Sequence, residues 1–293
     1  MKYRCLVFIG FTLLHFVGCG KSEQEIPEII DQEIGDPTEI LDVNAPDYWS
    51  KAELVWNDEF DGETLSEEKW VFETGANGWG NNEIQNYIAN ENVIVNEGTL
   101  KIIAKKNTDP TIPGAYTSTR MNSKKDFKFG RLEVRAKIPD HKGNGIWPAI
   151  WMLGSNIDTA GWPACGEIDM MEYVSFDPNK VHFSIHSTAN NHVNGTQVTS
   201  GPLLLESIEE EFHNYGILWT NKYIKFYVDD IDNITLTFVR PAISNSENWP
   251  FSNYFYFLMN IAVGGNWGGL QGVDENIFPA VMEVDYVRVY QVK

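Results

Sequence analysis

Three carboxylates crowd one short apolar stretch. Glu167, Asp169 and Glu172 lie within Trp162-Pro-Ala-Cys-Gly-Glu-Ile-Asp-Met-Met-Glu-Tyr-Val174, separated by Ile168, Met170 and Met171. Burying three like charges on one element is expensive unless partners or chemistry require it. Two carboxyl groups about 5–5.5 Å apart allow one to attack an acetal carbon while the other protonates the departing oxygen and later activates water. The proton donor of such a pair needs a raised pKa, and a neighbouring carboxylate helps raise it. Asp169, between the other two in sequence, is suited to hydrogen-bond the attacking group and tune both ionisations. The competing reading is a solvated acidic strand face that does no chemistry.

The spacing raises a question of parity. On a regular strand Glu167 and Asp169 share a face, whereas Glu172, five residues from Glu167, points the other way. One extra residue taken up as a β-bulge restores the parity, and Met170-Met171 is the natural place for it. The sequence therefore predicts a kinked strand with all three carboxylates on one cleft.

The elements that must hold such a strand read as β. Leu132, Val134, Ala136 and Ile138 alternate with Arg131, Glu133, Arg135 and Lys137, the pattern of a half-buried antiparallel strand. Similar runs occur at 99–105, 215–220, 223–229, 254–263 and 284–292, with Gly, Asn, Asp and Pro clusters such as 74–82 and 264–273 between them. Long helical periodicity is nearly absent. The expected class is all-β, a two-sheet sandwich or jelly roll.

Ten Trp, twelve Tyr and sixteen Phe exceed what a core of this size needs, so the surplus rings either overfill the core or face a groove. Trp147 and Trp151, four apart on one strand, share a face. His182 and His186 are also four apart, but Val181-His-Phe-Ser-Ile-His186 reads as a strand and no third ligand stands at metal spacing, so zinc is not expected. His186 is read either as a partner for sugar or carboxylate or as a structural residue.

The net charge of −19 argues against nucleic acid, whose phosphates need a basic surface, and mildly against a polyanionic substrate. A neutral polymer fits better. Residues 1–18 carry Lys2 and Arg4 before a short apolar run, the pattern of a secretory signal too short to span a membrane comfortably. The run ends Phe16-Val17-Gly18-Cys19, which resembles a bacterial lipoprotein box with Cys19 as the lipidated residue. Losing Lys2 and Arg4 with the signal takes the net charge from −19 to −21. With Cys19 lipidated, Cys165 has no partner, so no disulfide is expected despite an oxidising compartment. Residues 19–48 read as an acidic tether, with nine acidic residues and one Lys between 20 and 47. Residues 49–293 are the expected folded domain, a monomer anchored at an outer membrane or cell surface.

The carboxylate segment resembles the active-site strand of family 16 glycoside hydrolases in its bulged form E-x-D-x-x-E, and most closely that of the laminarinase (endo-1,3-β-glucanase) branch. Further segments resemble the family in the right order: Leu54-Val-Trp-Asn-Asp-Glu-Phe-Asp-Gly62, Trp79-Gly-Asn-Asn-Glu-Ile-Gln85, Gly130-Arg-Leu-Glu-Val-Arg135 with Gly145-Ile-Trp-Pro-Ala-Ile-Trp-Met-Leu153, Asn260-Ile-Ala-Val-Gly-Gly-Asn-Trp-Gly-Gly269, and Asp285-Tyr-Val-Arg-Val-Tyr290. The resemblance implies a β-jelly-roll sandwich of two antiparallel sheets with a concave cleft, in which Glu167 is the nucleophile, Asp169 the assisting acid and Glu172 the general acid/base. It implies that Trp147 and Trp151 stack on the sugar, with Trp162, Asn81, Arg120, His186, Asn260 and Trp267 as further contacts to a β-glucan. It also implies a structural calcium at Asp285 with backbone oxygens near Glu59 and Gly98, and no cofactor for catalysis. The rival readings are a non-catalytic carbohydrate-binding jelly roll and a relative acting on another polymer, such as agar, carrageenan or mixed-linkage glucan, or as a transglycosylase.

Overall fold

The computed structural model describes residues 42–109, 111, 113–140 and 143–293. The signal at 1–18, Cys19 and the tether as far as residue 41 lie outside them. Eighteen strands form among the described residues: β1 Glu53–Asp58, β2 Trp70–Glu73, β3 Gln85–Tyr87, β4 Val93–Asn96, β5 Thr99–Lys106, β6 Tyr116–Ser118, β7 Arg120–Ser123, β8 Gly130–Lys137, β9 Ile146–Gly154, β10 Glu167–Glu172, β11 Lys180–His186, β12 Val198–Thr199, β13 Leu203–Leu204, β14 His213–Trp219, β15 Tyr223–Val228, β16 Ile234–Val239, β17 Phe255–Val263 and β18 Ala280–Gln291. The period-two runs in the sequence fall on these strands to within a few residues.

The strands form two sheets. The outer one runs β16-β15-β14-β8-β18-β5-β6-β3, with β1 beside β18 and β4 beside β5. The cleft sheet runs β12-β11-β10-β9-β17-β7-β2, with β13 beside β11. Only β3 and β6 pair in parallel among the described pairs. The core lies between the sheets. Leu132, Val134, Val287, Val289 and Ile217 come from the outer sheet, and Ile150, Met152, Ile168, Phe257 and Met259 from the cleft sheet. Each such side chain contributes about 1.5–3 kcal/mol by leaving water, which makes a sandwich of this size stable without a disulfide. Cys165 is buried and free. No described helix is long and apolar enough to cross a membrane.

The folded unit begins earlier than residue 49. Val43 and Tyr48, assigned above to the tether, are 4% and 2% exposed and pack with Leu218, Tyr223, Tyr227 and Val292. The Tyr223 hydroxyl donates to the Val43 carbonyl at 2.7 Å. Acidic composition concealed this, because two apolar side chains suffice to dock a short segment whatever the charge of its neighbours.

Candidate active site

The kink in β10 is where the parity argument requires it. Against β9, Asp169 pairs with Trp151 and Met171 with Ile150, so Met170 is the extra residue. Against β11, Asp169 pairs with Ser184 and Glu172 with His182. Glu172 lies opposite Ala149 and Asp169 opposite Trp151, and directly opposed residues share a face, so both carboxylates point to the side of the Trp row. Glu167, opposite Leu153 and His186, points the same way. Both Met170 and Met171 are fully buried in the core, which anchors the bulge from beneath. Gly166 starts the strand at φ +85°, and a Cβ there would meet Pro250 at 2.8 Å, so only glycine delivers Glu167 to this position.

Two of the carboxylates each accept from a tryptophan, and an imidazole stands near the third. Trp162 Nε1 donates to Glu167 Oε2 at 2.9 Å, and Trp147 Nε1 donates to Glu172 Oε1 at 3.1 Å. His186 Nε2 lies 3.2 Å from Asp169 Oδ2 and 3.7 Å from Glu167 Oε1. Burial, then the Asp169 charge, pushes Glu167 up to about 8, while His186, the Trp162 N–H and Arg120 pull it back. Burial raises Asp169, and a hydrogen bond with Glu167 opposes that rise. Glu172 is raised well above the usual carboxylate range by burial and then by Asp169, with Glu167 adding to it. Three buried carboxylates this close cannot all ionise. Glu172, repelled by both others, holds its proton most firmly, so Glu167 ionises more readily than Glu172.

The neighbouring strands supply a wall. Trp151 Nε1 donates to Asn260 Oδ1 at 2.8 Å, Asn260 Nδ2 donates to the Tyr87 hydroxyl at 3.1 Å, and that hydroxyl donates to Glu83 Oε2 at 3.2 Å. Glu83 also accepts from Gln85 at 2.7 Å and Asn81 at 3.3 Å. The Arg120 guanidinium sits between the rings of Trp79 and Trp151, 4.8 and 4.7 Å from their centroids, and pairs with Glu73 opposite it in register. Trp267 meets Trp147 edge-on at 5.3 Å and His182 at 4.9 Å.

All eight residues expected to touch sugar thus lie on or beside this face, but not all as platforms. Trp147 and Trp162 hold carboxylates, Asn260 bridges Trp151 to Tyr87, Asn81 braces Glu83, and Arg120 is clamped between rings. Sequence reasoning missed Glu73, Glu83, Tyr87 and His192, whose ring lies 5.0 Å from Trp162. The period-two spacing of Gln85 and Tyr87, continuing the 79–85 segment, carried a signal for Tyr87. Glu73 had none, because its role comes from cross-strand register alone.

On the outer sheet, Val284 of β18 pairs with Leu100 and Val287 with Asp58, so Asp285 lies on β18 between its stretches beside β5 and β1. Arg135 takes Oδ2 of Asp285, and Arg288 takes both oxygens of Glu59, at 2.9 and 2.7 Å. Asp285 keeps its other carboxylate oxygen clear of Arg135, and calcium accepts such an oxygen within a mixed set of oxygen ligands.

A two-sheet sandwich whose open face carries a bulged row of carboxylates between tryptophans belongs to the class of β-sandwich glycoside hydrolases. The profile of "Glycosyl hydrolases family 16" matches residues 80–288. The chain is 44% identical over 250 residues to a "Beta-glucanase" of Rhodothermus marinus, covering 82% of this chain and 85% of the relative. The structure of a laminarinase from Flavobacterium sp. UMI-01 superposes with a TM-score of 0.74 at 43% identity, over 82% of this chain and all of that one. A non-specific endo-β-1,3(4)-glucanase superposes with a TM-score of 0.77 at 40% identity, over 83% and 92%. The chain belongs to glycoside hydrolase family 16.

Proposed function

We propose that the chain is a retaining endo-β-1,3-glucanase that also accepts mixed β-1,3-1,4 glucan. Glu167 attacks the anomeric carbon while Glu172 gives its proton to the departing glycosidic oxygen, leaving a glucosyl ester on Glu167. Glu172, now a carboxylate, takes a proton from water; that water attacks the anomeric carbon, breaks its bond to Glu167 and frees the carboxylate. Asp169 and His186 keep Glu167 placed and adjust its charge. The observation that carries this reading is the bulge at Met170, which puts the proton-holding Glu172 on the same face as the more readily ionised Glu167. The substrate assignment is supported by the names of the relatives and by the tryptophan wall, which suits a neutral sugar polymer.

Reducing ends released from laminarin, lichenan, agarose and carrageenan test it, with product anomers followed by NMR. Release from laminarin and lichenan with retained β configuration is expected; none from laminarin overturns the substrate. Full hydrolytic rate in Glu172→Gln would revive a non-catalytic binding role. A lipid on Cys19 anchors the enzyme, and Cys19→Ala releases it to the soluble fraction. Calcium held by Asp285 and main-chain oxygens near Glu59 and Gly98 would tie β1, the β4–β5 turn and β18 together, and its removal by chelator lowers Tm.

A further inference from the structure

Three ligand-type atoms converge beside the attacking carboxylate. Nε2 of His186, Oδ2 of Asp169 and Oε1 of Glu167 all lie within 4.8 Å of one another. The spacing of His182 and His186 had suggested no third ligand, because the missing ones come from the neighbouring strand: β10 sets Glu167 directly opposite His186. Trp162 occupies Oε2 of Glu167, which leaves Oε1 turned toward the imidazole. Asp169 is 3% exposed, yet its Oδ2 accepts no hydrogen bond of adequate geometry among the described residues and faces only the His186 ring nitrogen, 3.2 Å away. A buried acceptor left in this way is uncommon in a native structure and calls for an explanation.

Zinc binds imidazole nitrogen and carboxylate oxygen at about 2.0–2.2 Å, so tetrahedral ligand atoms stand about 3.3–3.5 Å apart. The two distances from His186 Nε2, 3.2 and 3.7 Å, bracket that spacing. The 17% exposure of the Glu167 side chain leaves that carboxylate in contact with solvent from the cleft. We propose that Glu167, Asp169 and His186 form a latent zinc site, and that zinc bound there blocks the enzyme by occupying Glu167. The ion replaces protons held among the three groups, and these leave to solvent, so affinity falls as pH drops. Magnesium, which demands near-octahedral oxygen ligands and dehydrates reluctantly, does not fit this triad. His186 Nδ1 has no acceptor among the described residues. Without that outer support the site is weaker than a structural zinc centre and reversible by chelator. The block rests on the role proposed for Glu167, but the binding does not.

Calorimetric titration of the chelator-treated full chain with zinc chloride, alongside laminarin hydrolysis, tests this. One equivalent is expected to bind with proton release and to raise the apparent KM while leaving kcat unchanged. EDTA should restore the rate, and magnesium at equal concentration should have no effect. His186→Ala and Glu167→Gln should each weaken zinc binding by about tenfold or more, with a thermal melt confirming their fold. A laminari-oligosaccharide should displace zinc from the unmodified enzyme, a readout that needs no variant. Equal zinc affinity in all three proteins, or no displacement by oligosaccharide, overturns the site. Zinc bound at one equivalent with undiminished hydrolysis overturns the block, and with it the role given to Glu167.

Discussion

β8 and β10 both carry charge across a sandwich and treat it in opposite ways. On β8 the charged side chains alternate with buried ones and face outward, and most of them find a partner. Arg135 pairs with Asp285, Lys137 lies 3.1 Å from Glu283, and Glu133 accepts the Tyr227 hydroxyl at 2.7 Å. On β10 three acids share one face, and the nearest basic side chain is a single imidazole. The outer sheet uses charge to stay soluble and neutralise itself. The cleft sheet keeps charge under-neutralised, which raises the proton affinity of its carboxylates and lowers the stability of the fold. The contrast indicates that a strand's chemistry lies less in which charges it carries than in which ones its neighbours leave without a counterion.

The strongest way to break this contrast is to neutralise β10. Glu172→Gln should cut kcat on laminarin by about 10²–10⁴ in steady-state assays, with its sheet structure unchanged by circular dichroism. It should also be more stable than the parent at neutral pH. Folding raises the Glu172 pKa above its ordinary 4.5. The native state therefore holds a proton that the unfolded chain releases, and stability is full below the unfolded value and falls as pH rises above it. Removing that ionisation removes the loss, and each kcal/mol relieved raises Tm by about 2–4 °C, read by calorimetry. An unchanged or lower Tm would mean that folding does not raise the Glu172 pKa.

Trp162→Phe is the next largest change. It deletes the N–H bond that favours ionised Glu167, so the Glu167 pKa rises and the acid limb of the kcat/KM profile moves to higher pH. A hydrogen bond to a charged group contributes about 1.5–3 kcal/mol, so kcat/KM should fall by about ten- to a hundredfold. Tyr87→Phe should be milder. It leaves Asn260 Nδ2 without its acceptor, loosens Trp151 and costs about 0.5–1.5 kcal/mol, read as a rise in KM of about two- to tenfold with little change in kcat. The smallest effect belongs to the outer sheet. Glu283→Gln breaks a half-buried ion pair on the outer sheet and should change stability by about 1 kcal/mol in urea titration, with kcat and KM unmoved. A loss of activity there would remove the distinction between the two strands.

Alternation along Leu132 to Ile138 and the Gly-rich breaks predicted the strands because burial of one face imposes a period of two, and that rule is local. The odd spacing of Glu167 and Glu172 implied the bulge for the same reason, since parity on a strand is a property of the chain itself. Local rules end there. The tertiary structure decided that Glu73 clamps Arg120, that Tyr87 and Glu83 orient Trp151 through Asn260, and that His186 stands against Glu167 and Asp169. Each of these contacts joins residues on different strands or loops, and pairing register is fixed only when two sheets close over a shared core. The docking of Val43 and Tyr48 was hidden likewise, because the surface that receives them is assembled from β14, β15 and the end of the chain.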